Sequence, residues 1–139
     1  MARLAHQQKL VVWGDITVLV LLTVSGFATH LTLDALGRMA VTLLGSVIAW
    51  VAVAPTLGVY REAVLTNPRS VWRVGWAAVL AAPLATFLRG MALNRDIPWV
   101  FVLVTMGTSA LGLLLWRTAY GWWMARQSSA GTRSTTSAR

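Results

Sequence analysis

The chain has 139 residues, 57% of them hydrophobic and 12% charged, with a formal charge of +8 and no cysteine. An ordinary soluble domain carries roughly 25% charged residues, so a soluble fold of this size has no means of hiding so much apolar surface. The missing cysteines exclude disulfides, thiolate metal sites and cysteine nucleophiles. The basic balance does not signal nucleic acid, because the Lys and Arg residues are scattered at the ends of apolar runs instead of forming one patch.

Taken in order, Met1 to Leu10 forms a short basic leader with Arg3, His6 and Lys9. The transmembrane region is expected over 11–125, with helices at about Val11 to Leu33, Met39 to Tyr60, Val71 to Met91 and Ile97 to Met124. Each run holds roughly 20 residues, enough at about 1.5 Å per residue to cross a hydrocarbon core of about 30 Å. The connectors are Asp34 to Arg38, a more basic Arg61 to Ser70 with the turn signal Asn67-Pro68, and Asn94-Arg95-Asp96, after which Pro98 suits the first turn of a helix. The first run is longer than a signal-peptide core, contains Asp15 and lacks a small-x-small cleavage site, and so is read as a retained helix. Residues 126–139 have no apolar side chain large enough to pack and are expected to form a disordered tail.

Orientation follows from the basic residues. Arg3, Lys9, Arg61, Arg69, Arg73, Arg117, Arg126, Arg133 and Arg139 fall on one side, and Arg38, Arg89 and Arg95 on the other. That bias places both termini in the cytoplasm. The expected architecture is therefore an all-α integral membrane protein of the inner (plasma) membrane, with four transmembrane helices, multi-pass. Trp13, Tyr60, Trp72, Trp76, Trp116, Tyr120, Trp122 and Trp123 gather at the cytoplasmic boundary, and Trp99 at the outer one. Trp50 falls within the second helix, where its indole N–H needs a partner in the bundle or a cavity.

Three sets of residues are candidates for function. On a helix advancing about 100° per residue, Asp15, Leu19, Leu22, Gly26 and His30 share one stripe, which should face the bundle interior because an ionisable group in lipid is costly. Asp15 is either a proton- or cation-coupled carboxylate or half of an ion pair with Arg73 or Arg117 at the same depth. His30 lies about 22 Å further along, near the outer boundary, where Arg89 and Asp96 are its candidate companions. The distance rules out a metal site shared by Asp15 and His30, and no metal or cofactor is expected. The third set is a packing or pathway stripe of Gly26, Trp50, Thr105, Ser109 and Gly112. Small residues at Gly45, Ala49, Ala52 and Thr56, and at Ala77, Ala81 and Ala85, are expected to let helices approach closely. Ala54-Pro55 with Arg61 and Ala82-Pro83 with Arg89 form a short internal similarity, read either as a trace of inverted repeats or as unrelated proline kinks.

No catalytic constellation is present: there is no HExxH, no GxSxG and no phosphate-binding glycine loop, so the chain is not expected to be an enzyme.

Several motifs in order resemble one family. These are Asp15, Gly26 and His30, the AP-x-x-G-x-Y-R stretch from Ala54 to Arg61, the Pro83 to Arg89 stretch, IPWVFVLVT from Ile97 to Thr105, and Leu115-Trp116-Arg117. From about Asp15 to Arg117 the chain resembles the uncharacterised membrane protein family DUF3054. The resemblance implies a small multi-helix inner-membrane protein of bacterial or archaeal type and implies no activity. The expected function is that of a structural or accessory subunit of a membrane assembly. The alternative is a proton- or cation-coupled small transporter or channel that uses Asp15, as a homodimer. A third reading is a carrier of a lipophilic pigment or quinone. The expected partners are the lipid bilayer and other membrane proteins or a second copy of the chain.

Overall fold

The computed structural model describes the backbone of residues 2–28, 33–65 and 70–136, and the side chains of 6–28, 35–65 and 70–126. Among the described residues five α-helices follow one another: α1 (Ala2–Phe27), α2 (Leu33–Thr56), the single-turn α3 (Glu62–Leu65), α4 (Trp72–Leu93) and α5 (Trp99–Thr136). Four of them contain stretches long and apolar enough to span a membrane, at His6–Phe27, Ala35–Thr56, Trp72–Leu93 and Trp99–Arg126. The shortest of these has 22 residues, about 33 Å of helix at 1.5 Å per residue.

The four long helices pack as a ring in which α1 and α4 are each flanked by α2 and α5. Neighbours run antiparallel: Asp15 meets Arg117 and Leu22 meets Gly112 between α1 and α5, while Arg89 meets Thr42 and Ala85 meets Gly45 between α4 and α2. The tightest seam lies between α2 and α4. Its cause is legible in the small residues of α4, where Ala77, Ala78, Ala81, Ala82 and Ala85 are all buried. With no bulk to hold them apart the backbones close in, and a Cβ on Gly45 would stand 3.1 Å from the Ala85 carbonyl oxygen. Trp50 and Leu113 are the largest side chains fully enclosed at the centre. The outer faces are apolar, with Leu21, Leu44, Val51, Phe87, Leu103 and Leu111 all more than half exposed.

The expected stripe on α2 is half right. Gly45 faces α4 and Ala49 is buried, but Ala52 and Thr56 are exposed, because the buried face turns toward Trp50 and Ala54 as the helix advances. The two Ala-Pro stretches are also structurally different. Pro55 stands at the last turn of α2 and Arg61 lies beyond the helix end, whereas Pro83 is inside α4 and Arg89 is still helical.

Helix ends depart from expectation in both directions, some falling short of the apolar run and some extending into polar sequence. α1 ends at Phe27, not Leu33, and residues 34–38, expected as a connector, are already in α2. At the other end the helix starts at Ala2, so the basic leader is helical. α2 stops at Thr56 instead of Tyr60, and the backbone of α5 continues helical to Thr136, past the expected boundary at Arg126. His30, Asn67, Pro68 and Arg69 lie outside the described residues.

Candidate functional site

The early stop of α2 has a local cause. Gly58 adopts φ +66°, a left-handed conformation that glycine enters without a side-chain clash. The Val59 N–H then bonds the Ala54 carbonyl at 3.1 Å and the Gly58 N–H bonds the Pro55 carbonyl at 2.9 Å. These two bonds define a Schellman cap, and Val59 and Ala54, joined by the first of them, are both fully buried in the core cluster. The cap reverses the chain and carries Tyr60 back over the bundle end. α4 ends by the same device with Asn94 as the left-handed residue, its N–H bonding the Met91 carbonyl while the Arg95 N–H bonds that of Gly90.

Because of that reversal, Tyr60 joins three other side chains in the half of the bundle nearer the start of α1 and the end of α5. Arg117 on α5 forks onto Asp15 on α1, with Nε 2.9 Å from Oδ1 and Nη2 2.7 Å from Oδ2. The Tyr60 hydroxyl donates to Asp15 Oδ2 at 3.1 Å and accepts from the Trp50 indole N–H at 2.8 Å. The Arg117 guanidinium carbon also stands 5.5 Å from the Tyr60 ring centroid. Asp15 is wholly buried and Arg117 nearly so. A planar fork matches a carboxylate at two points, and the phenol takes a third acceptor site, on Oδ2. Burial and the adjacent Asp15 carboxylate push the Tyr60 phenol well above its ordinary range, which keeps the hydroxyl protonated and able to donate.

Of the two basic residues expected beside Asp15, the structure brings in Arg117 and leaves Arg73 out. Arg73 sits over its own neighbour, 5.6 Å from the Trp72 ring. Tyr60 is the member that sequence reasoning missed: its boundary position suggested a headgroup anchor. The available signal was Gly58 two residues earlier, which permits a reversal at that point. Trp50 has the bundle partner its indole requires.

A second polar region occupies the opposite end of the bundle. A cavity of about 540 Å³ lies between the distal halves of α1, α2, α4 and α5, and Arg38, Thr42, Ser46, Arg89, Thr105 and Ser109 contribute its polar wall. Gly26 also lines it, whereas Trp50 borders a separate small void and Gly112 is taken up in packing, with Leu22 where a Cβ would go. Of the companions expected for His30, which itself lies outside the described residues, Arg89 lines this cavity and Asp96 does not. Arg89 donates from Nε to Thr42 Oγ1 at 2.9 Å and lies 4.6 Å from the Phe101 ring centroid, while Asp96 is exposed. Among the described residues no three His, Cys, Asp or Glu side chains converge as a metal site would require.

The fold and its two polar regions define an all-helical protein with four membrane-length apolar helices, clasped at one end by a buried ion pair and hollowed at the other by a basic cavity. Residues 12–120 match the family model described as Protein of unknown function (DUF3054), and the chain belongs to that family. No curated protein and no solved structure matches the chain.

Proposed function

We propose that the protein is a multi-pass inner-membrane protein with both termini in the cytoplasm, acting as a structural or accessory subunit of a membrane assembly. The observation that carries this reading is the commitment of Asp15. A carboxylate that exchanges protons or cations must be reachable from water, but Asp15 is fully enclosed and accepts from both Arg117 and Tyr60. Breaking such a pair leaves an uncompensated buried charge, so the arrangement suits a fixed clasp better than a coupling site. The exposed apolar faces of the helices suit lipid and neighbouring helices. In this reading the chain is not an enzyme.

The test is the composition and mass of the complex extracted from native membranes in mild detergent. Stoichiometric foreign subunits are expected. Recovery of the chain alone or only as a homo-oligomer counts against the accessory role and moves the reading to the alternative, a proton- or cation-coupled transporter working as a homodimer. Proteoliposome flux that is unchanged by Asp15→Asn would end that alternative.

A further inference from the structure

The distal cavity is a large space, partly polar, that the clasp does not account for. Two cationic side chains, Arg38 from α2 and Arg89 from α4, line it, and no acidic side chain is among the described residues around it. Both arginines belong to candidate membrane spans. Each stands about one turn inside the end of its span, where a cationic side chain is tolerated, and two that turn into one cavity are favoured by an opposite charge between them. Arg89 is also held in place. Thr42 accepts its Nε–H while giving its own hydroxyl proton to the Arg38 carbonyl at 2.7 Å, and Phe101 covers the guanidinium from the α5 side. A guanidinium fixed in this way presents its fork without the usual cost of ordering a long side chain.

The rest of the wall adds to the argument. Thr105 and Ser109 add hydroxyl-bearing side chains from α5 to the same lining. Leu19 and Leu22 give the cavity an apolar flank. The volume, about 540 Å³, falls within the range of roughly 300–1,000 Å³ typical of small-ligand sites. Cationic forks, hydroxyls and an apolar flank together fit an anion with a planar or tetrahedral oxygen group and an apolar body.

We propose that this cavity binds a phosphate-bearing anion, with Arg38 and Arg89 as its charge partners and Thr105 and Ser109 as hydroxyl contacts. The phosphate belongs either to the headgroup of an anionic lipid or to a free phosphate compound. This site is independent of the accessory role proposed above and of the Asp15 clasp.

The test uses the purified full-length protein in mild detergent. Native mass spectrometry follows retention of phosphatidylglycerol against phosphatidylcholine, and titration calorimetry follows inorganic phosphate. A charge-assisted hydrogen bond is expected to change affinity by about tenfold or more. Phosphatidylglycerol is therefore expected to be held at least about tenfold more tightly than phosphatidylcholine. Arg38→Gln and Arg89→Gln should each reduce that preference by about the same factor, and Arg126→Gln at the other end of the bundle should not. Phosphate binding that depends on the two arginines, without a lipid preference, supports the site and assigns the free compound as its source. If an arginine variant does not fold, as judged by its helical circular dichroism and monodispersity, Thr105→Val and Ser109→Ala are expected to weaken the same binding in a folded protein. Wild-type protein that retains neither phosphatidylglycerol nor phosphate overturns the proposal. So does a lipid preference that survives both arginine variants.

Discussion

Arg117 and Asp15 are 102 positions apart in the chain and joined at two points, by bonds of 2.9 and 2.7 Å. Their contact ties the last long helix to the first and closes the ring of helices at the terminal end. Removing one partner leaves the other charged and buried, which in comparable pairs costs about 3–5 kcal/mol. Asp15→Asn and Arg117→Leu are each expected to lower thermal stability in detergent sharply. The double variant Asp15→Leu with Arg117→Leu should recover much of the loss, because neither charge then remains. A double variant no better than the worse single one would show that the pair is not the source of the effect.

Two tyrosines near this end invite the same substitution with opposite outcomes. The Tyr60 hydroxyl serves both Trp50 and Asp15, so Tyr60→Phe strands a buried indole N–H and removes a carboxylate donor. The expected loss is about 1–3 kcal/mol. The Tyr120 hydroxyl and the Trp116 indole nitrogen are buried without a hydrogen-bond partner among the described residues. Tyr120→Phe is therefore expected to be neutral or mildly stabilising. Equal losses from the two substitutions in parallel thermal melts would refute the distinction.

Tyr60 also makes stability depend on alkaline pH. Its ordinary value is 10.0 and the folded protein holds it higher. The unfolded chain thus gives up this proton first as pH rises, and the unfolded state gains free energy of ionisation that the folded state does not. The contribution of Tyr60 is whole below pH 10 and falls as pH rises toward the folded value, by up to about 1.4 kcal/mol per pH unit. The gap between wild type and Tyr60→Phe should narrow above pH 10 in melts at stepped pH. A gap that stays constant to pH 11 would contradict the assignment.

The reversal at Gly58 rests on a left-handed backbone. A side chain there costs about 1–2 kcal/mol, with Asn penalised less than Val. The order of melting temperature is expected to be Gly58 above Gly58→Asn above Gly58→Val. If Val is tolerated as well as Asn, the cap is not what positions Tyr60.

Gly14 faces Trp116 so closely that an added Cβ would overlap the indole. Gly14→Ala should destabilise by about 1–3 kcal/mol through overpacking. Trp116→Leu in the same chain should relieve part of that loss, and a double-mutant cycle measures the coupling. Strict additivity of the two changes would place them out of contact.

The number of long helices, their approximate positions and the pairing of Asp15 with a basic residue at its own depth were all legible in the sequence. Apolar runs of membrane length and the cost of a lone buried charge are properties of composition and spacing. The ends of the helices were not legible. Leu33, read as the end of the first helix, is already the first residue of α2, and hydrophobicity continues through Leu57 and Val59 after α2 has ended at Thr56. Only the tertiary structure chose Arg117 over Arg73, because the choice depends on which face of each helix turns inward, and helices that are apolar on every side carry almost no signal of that rotation. The same holds for Arg38, Thr42 and Arg89. Each reads singly as a boundary residue, and they share a cavity because α2 and α4 pack closely through their small residues, bringing Arg89 to Thr42 from 47 positions away.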